Sequence, residues 1–418
     1  MTAEPAPVGG DRLGPVFNRL WAASGISNLG DGVYAAALPR LAASLPSDPL
    51  AVSAVTFAQW LPWLLFGLLS GALLDRWDRR RVMWTVDVAR FAVAGGLAAA
   101  VLAGVAGIPL LMVAGFLLGT GQTLVDTAAV ALLPAIVSRR PGRLERANGR
   151  LQGTQMVTDG LAGPPVGGAL FAVAPWIAFA VDALSFAASA GLVASIRSGP
   201  ATAAPDEPRV PLRAAIAEGL RWLGRHRLLR LLALMVAVTN LMAMATQATL
   251  VLFATRILGL GSTGYGLLLA GIALGGVAGS LLASRVSRWI GPGTMMAGGF
   301  TLAGLALVAT GLVSNPVLAA ALLSVEALVA IMFNVVAGSL RQQLTPDHLL
   351  GRVISAFRLL GYGVVPLGAL LGGALAGAFG LRAPYLIAGA VITVTALAFA
   401  PFVSNRAVAA ARDAAVTG

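Results

Sequence analysis

The residues of this chain best suited to chemistry are carboxylates and amides set inside long apolar runs. Polar and ionisable side chains are costly in the hydrocarbon of a membrane, so each one marks a candidate functional site. Ser24, Ser27, Asn28, Asp31 and Tyr34 share one face of the first run at helical spacings of three and four. Gln122, Thr123, Asp126 and Thr127 do the same in the fourth run, and Thr239, Asn240, Thr246 and Gln247 stand in the seventh. Glu326 and Asn334 lie in the tenth. Asp31 and Glu326 have no basic residue within a helical turn in sequence, a setting in which a carboxylate can take up and release protons near neutral pH. Counted from Phe17, Asp31 sits about 21 Å along its helix at 1.5 Å per residue, past the middle of a layer about 30 Å thick. Asp31 is therefore expected to be the proton-coupling carboxylate. A plain hydrogen bond from Asp31 to a neighbouring helix is the competing reading, as it is for any single Ser, Thr or Asn in a span. Asp87 and Arg90, three apart, are expected to form a structural charge cluster with the arginines of residues 76–81. Asp182 could serve structure or transport, and Gln152, Gln155 and Asp159 make a further stripe.

Composition sets the elements that must hold these residues. Of the 418 residues 58% are hydrophobic and 11% charged, and the mean hydropathy is +0.85, too apolar for an ordinary soluble surface. With no cysteine there is no disulfide, thiol chemistry or thiolate-bound metal. The two histidines, His226 and His348, fall in polar loop regions and make a poor metal pair; no cofactor is expected. All 29 basic residues are arginine against 17 acids, and their placement outside the apolar runs argues against a nucleic-acid partner. The absence of lysine excludes a Gly-x-x-x-x-Gly-Lys nucleotide loop. No paired-histidine-and-acid constellation suggests an intramembrane enzyme. The first sixteen residues lack the apolar core of a signal peptide, so the first run is expected to remain as a span.

A helical span needs about twenty mainly apolar residues. Twelve are read, at 17–41, 51–74, 82–103, 109–137, 147–173, 175–196, 228–254, 264–288, 292–313, 316–341, 350–379 and 383–404. None shows the every-second-residue alternation of a barrel strand. Twenty-five arginines fall in segments on one side, three (Arg40, Arg256, Arg382) on the other, and Arg90 inside a span. By the positive-inside rule the rich side is cytoplasmic, which places both termini there.

The halves echo each other. Gly163-Pro164-Pro165-Val166-Gly167-Gly168-Ala169-Leu170 is answered 205 positions later by Gly368-Ala369-Leu370-Leu371-Gly372-Gly373-Ala374-Leu375, and Gly71-Ala72-Leu73-Leu74 recurs 208 later as Gly279-Ser280-Leu281-Leu282. Two six-helix repeats are the expected architecture, an all-α membrane protein of two pseudo-symmetric bundles. The boundaries read as 1–197, a linker at 198–226, 227–404 and a cytoplasmic tail at 405–418. Within the linker Leu212, Ile216, Leu220 and Leu223 recur at helical spacing, which predicts an amphipathic helix on the lipid surface or a cap on the bundle. The small faces and kink of 163–168 are expected to meet 368–373 in a contact between the halves that closes and reopens.

Gly71, Asp75, Arg76 and Arg79, in a turn just outside the membrane, resemble the signature loop between the second and third helices of the major facilitator superfamily; Asp78 stands where that pattern usually has glycine. The Gly163–Gly168 run resembles the fifth-helix motif of that superfamily's exporters, with Asp159 where glycine is common. Ser27-Asn28-Leu29-Gly30-Asp31, the 119–134 segment, Arg146-Ala147-Asn148, Asp182-Ala183-Leu184-Ser185-Phe186 and Gly351-Arg352-Val353 resemble the bacterial drug-efflux branch, which includes enterobactin and macrolide exporters. The resemblance implies that spans 1, 4, 7 and 10 line a central cavity. Asp31, Asp126 and Glu326 would be its charged lining, with Asn28, Tyr34, Gln122, Asn240, Gln247 and Asn334 toward the cargo. It also implies gating by Gly71, Asp75, Arg76, Arg79, Gly163, Pro164, Gly167 and Gly168. The expectation is a monomeric secondary transporter of the bacterial cytoplasmic membrane that exports a hydrophobic or amphipathic small molecule in exchange for protons. A proton-coupled importer and a lipid flippase are the alternatives.

Overall fold

Prolines and short polar caps start many of the helices, because the first turn of a helix has N–H groups with no partner inside it. Asp48 accepts from the Ala51 amide, Asp78 from those of Arg80 and Arg81, and Asn315 from those of Val317 and Leu318. The computed structural model describes residues 13–45, 48–67, 77–137, 143–196 and 212–417. Gly71, Asp75 and Arg76 of the signature turn lie outside the described residues, as does the whole of the linker before Leu212.

The first half comprises α1 (Pro15–Ser44), α2 (Pro49–Phe66), α3 (Arg79–Leu102), α4 (Ile108–Ile136), α5 (Arg143–Gln155), a π-helical stretch Met156–Ala162, α6 (Gly163–Val173) and α7 (Pro175–Ala194). A connector helix α8 (Leu212–Arg225) leads to α9 (Arg227–Arg256), α10 (Ser262–Ile290), α11 (Pro292–Leu312) and α12 (Pro316–Leu344). Then follow α13 (Asp347–Gly363), α14 (Val365–Phe379), α15 (Ala383–Phe399) and α16 (Asn405–Thr417). No strand occurs among the described residues. Nine helical stretches among them are long and apolar enough to cross a membrane, α13 and α14 counting as one. The polar face of α1, the broken α5–α6 and the 17-residue α15 stand outside that set.

Two of the expected spans are interrupted, and proline accounts for both. Pro164 and Pro165 have no N–H to donate, and the helix before them widens until the Gly163 amide reaches the Thr158 carbonyl, five residues back. Pro366 likewise follows the break at Val364 between α13 and α14. The stretch read as a tail is helical: the Asn405 side chain accepts from the Gly293 amide at 2.7 Å and binds the start of α11.

Helix α1 packs on α7 and α6, α3 on α4 and α7, α10 on α12, and α11 on α12 and α15. Segments from the two halves of the sequence meet where α6 crosses α10 and α14 crosses α2. The glycine runs do not meet each other, contrary to the sequence expectation. A Cβ on Gly167 would strike the Val33 backbone of α1, and one on Gly168 the Ser262 backbone of α10. A Cβ on Gly372 would strike Ala245 of α9, and one on Gly373 would meet Ser53 and Leu50 of α2. The two runs are thus equivalents making equivalent contacts, each with its own half and with the other half's second helix. Similarity at a fixed offset marks such equivalence, and equivalence alone does not make two segments partners.

The connector helix also differs from a helix lying on lipid. Leu223 is buried, Glu218 bridges Arg352 at 2.5 Å, and Gly219 lets α8 approach the Arg352 carbonyl on α13. The side chains of Leu212 and Ile216 lie outside the described residues.

Candidate functional site

Arg90 organises the first site. It projects from the middle of α3, is 3% exposed, and stacks its guanidinium on the Phe186 ring at 3.8 Å. Its Nη2 donates to Asp31 Oδ1 at 2.5 Å and to Gln122 Oε1 at 2.6 Å. Gln122 turns its amide nitrogen to Asp126, at 3.0 and 3.1 Å from the two carboxylate oxygens. Arg90 Nη1 lies 3.6 Å from Asp87, which also accepts from the Ser189 hydroxyl at 2.7 Å. Asp182 is fully buried near Asp31 and Arg90, and neither of its oxygens has a partner. Asp159, on the π-helical stretch, is in electrostatic range of Asp31 and Asp126. Four aspartates, Asp31, Asp87, Asp126 and Asp182, therefore share one guanidinium, and Asp159 adds a fifth carboxylate beside two of them.

Local sequence makes the room. A Cβ on Gly121 would strike the Arg90 side chain, and one on Gly30 would strike Ser185 and Asp182. Tyr34 is buried one turn from Asp31, edge-on to Phe179 with centroids 6.2 Å apart, and its hydroxyl has no partner. Asn28 is buried on the same helix one turn earlier.

These contacts correct the sequence reading of Arg90 and Asp31. Arg90 is eleven residues beyond Arg79, about 16 Å along a helix, too far to join the arginine turn. It pairs instead with Asp31, so Asp31 is not a lone carboxylate. The arginines of the turn have other work: Arg79 donates to the Ala131 carbonyl of α4 at 2.9 Å, and Arg80 binds the Val193 and Ala194 carbonyls at the end of α7.

Glu326 belongs to a second site. It faces a cavity of about 260 Å³ lined also by Trp60, Asn240, Gln247, Tyr362 and Tyr385. Asn240 donates to the Gly361 carbonyl at 2.8 Å. Glu326 has no cation or hydrogen-bond partner among the described residues. Asp31, Asp126 and Asn28 do not line this cavity. Asn334, eight residues further along α12, is exposed and does not line it either. The aromatic lining went unread in the sequence, because Trp60, Tyr362 and Tyr385 carry no spacing relation to Glu326; only packing gathers them.

At the arginine-poor end α6 and α10 close together. Gly168 lies against the Ser262 backbone, and Arg40 Nε donates to the Ser262 hydroxyl at 3.1 Å.

Long apolar helices enclosing buried carboxylates define a multi-pass helical membrane protein. The chain belongs to the transmembrane secretion effector family of the major facilitator superfamily, whose family model matches residues 12–415. It is 30% identical over 387 residues to the multidrug efflux pump Tap of Mycolicibacterium fortuitum, a match covering 90% of this chain and 92% of that protein. A bacterial homologue of the iron transporter ferroportin in its inward-facing state superposes with a TM-score of 0.75 at 18% identity, covering 93% and 98% of the two chains. The outward-facing state gives 0.61 at 18% identity, covering 92% and 98%.

Proposed function

We propose that this chain is a secondary transporter that exports hydrophobic or amphipathic small molecules, of drug, antibiotic or siderophore type, in exchange for protons. It works by alternating access as a monomer with twelve spans in two six-helix bundles, in the bacterial cytoplasmic membrane with both termini cytoplasmic. Membership of the family, the Tap relative and the arginine distribution support this reading. The sealed arginine-poor end, and the better superposition on an inward-facing transporter, support an inward-open state. Gly163, Pro164, Gly167 and Gly168, at the helix crossings, are the proposed gate, with Gly71, Asp75, Arg76 and Arg79 at the other end.

The observation that carries the proposal is the sharing of one guanidinium by four aspartates, with Asp159 beside two of them. An uncompensated charge in a low-dielectric interior costs several kcal/mol. Protons or a cationic cargo must therefore balance the surplus carboxylates, and exchange follows if the two compete. Asp31 is the proposed coupling group, since it touches Arg90 and keeps its second oxygen unpartnered. Asp126 connects to it through Gln122 and Arg90, and Glu326 holds cargo in the aromatic cavity.

The test is dye or antibiotic uptake by inside-out vesicles with and without a pH gradient. Asp31→Asn keeps the shape and the hydrogen bond but cannot titrate. It should abolish gradient-driven transport while cargo still binds, and that binding should lose its pH dependence. Undiminished gradient-driven transport by this variant would move the role to Asp126 or Glu326. Gradient-independent movement of lipid by the wild type would replace the exchange reading with that of a flippase.

A further inference from the structure

A second, larger cavity lies at the arginine-rich end, away from both carboxylate sites. Its volume is about 870 Å³, and it opens where α8 meets α9, beside the ends of α12 and α15 and the helix α16. That size suits a small organic ligand. Arg225 and Arg227 are exposed at its wall, and no carboxylate lines it among the described residues. Arg227 is held with its guanidinium 4.6 Å from the centre of the Phe402 ring. Trp222, stacked on His226 with centroids 5.4 Å apart, and Leu344 add apolar surface. Thr345 lines the cavity at 5% exposure, and its hydroxyl has no partner. A buried hydroxyl left without a hydrogen bond costs free energy, which a ligand oxygen reaching Thr345 would recover.

We propose that this cavity holds the phosphate headgroup of an anionic phospholipid, with Arg225 and Arg227 on the phosphate, Thr345 on a headgroup oxygen, and Trp222 and Phe402 against the first acyl carbons. Guanidinium forks match phosphate oxygens in geometry and charge. The apolar lining and the position favour a lipid over a free anion: the cavity stands where a span begins, on the side that the arginines assign to the cytoplasm. That leaflet is the one rich in anionic lipid, and basic pockets between helices there bind such headgroups. The cavity shares no lining residue with the Glu326 cavity, so its proposed occupant is a resident that ties α8, α9 and α16 together, distinct from cargo.

The experiment is thermal unfolding of the full chain in dioleoylphosphatidylcholine nanodiscs titrated with dioleoylphosphatidylglycerol. The expected result is a saturable rise in the unfolding midpoint, as for any ligand that binds only the folded state. Arg225→Gln with Arg227→Gln should need about tenfold more phosphatidylglycerol for the same rise. Thr345→Val should need a smaller excess, because it removes one hydrogen bond and no charge. Retention of phosphatidylglycerol adducts in native mass spectrometry, compared between wild type and the double variant, gives a readout independent of fold stability. The proposal is overturned by equal stabilisation of the double variant, or by no rise in the wild type. Equal protection by inorganic phosphate or glycerol phosphate at the same concentration would assign the cavity to a soluble anion and overturn the lipid as its occupant.

Discussion

Arg90 and Asp31, 59 residues apart in sequence, meet at 2.5 Å in the interior of the first half. The pair fastens α3 to α1, and through Gln122 it reaches α4 as well. Neither residue can be changed without altering the electrostatics of the other. Stability and coupling must therefore be measured together at this site.

Removing one member of a buried ion pair strands the other, at a typical cost of about 3–5 kcal/mol. Arg90→Gln should approach that figure, because it leaves Asp31, Asp87, Asp126 and Asp182 without the cation they share. Asp31→Asn should cost less, since Arg90 keeps Gln122 and Asp87. Denaturant or thermal unfolding in micelles, with the double variant closing the cycle, measures both values. Equal costs for the two single variants would show that Arg90 serves Asp31 alone.

Glu326 sits without a cation among three aromatic side chains, a setting that favours positively charged amphipathic cargo through charge and cation–π attraction. Glu326→Gln should weaken the binding of a cationic dye about tenfold or more and leave a neutral dye of similar size within about twofold. Fluorescence titration of the purified protein separates the two. Parallel losses for both dyes would make the residue structural.

The glycine contacts predict a specific crosslinking pattern. The chain has no cysteine of its own, so a Gly160→Cys, Ala273→Cys pair, whose Cβ atoms would stand 3.3 Å apart, should form a disulfide readily and tie the π-helical stretch to α10. A Gly168→Cys, Gly373→Cys pair should not crosslink, because the two runs pack on different helices. Gly167→Leu, which faces α1 of its own half, should destabilise by about 1–3 kcal/mol through overpacking. Non-reducing gels and unfolding curves check the three outcomes.

His226 accepts a hydrogen bond at Nδ1 from the Leu229 amide and so caps α9 in its neutral form. Half-burial holds its imidazole below the usual value of about 6.5. A lowered folded-state pKa means that this contribution is complete above about pH 6.5 and is lost as pH falls below it toward the folded value. The unfolding midpoint should decline in that window. His226→Asn, which caps at any pH, should flatten the decline. An unchanged profile in the variant would assign it to other groups.

The all-helical class was legible because continuous apolar runs have one solution in a bilayer, and the helix starts because proline and Asp or Asn caps mark them. Asp31, Asp126 and Gln122 were legible as a polar face of regular spacing. Arg90 was misread because its neighbour in sequence, Asp87, offered a local partner, whereas its closer partner comes from another helix. Helical periodicity reports which residues share a face and carries no information about which faces meet. The same limit explains the glycine runs: their likeness showed that they are related and could not show what each one touches. Asp182 was seen but not placed, since its neighbours Asp31 and Arg90 lie on two other helices.

The π-helical residues Met156–Ala162 carry a consequence for how this segment tolerates change. Each widened turn sets α6 out of phase with α5, and the glycines of α6 face α1 and α10 only at that phase. Adding one residue at the end of α5, with the widened turns unchanged, would swing the glycines by about 100°, turning their smooth face away from both crossings. An exchange of side chains at the same positions would leave the phase intact. Here the number of residues, more than their identity, is the inherited instruction.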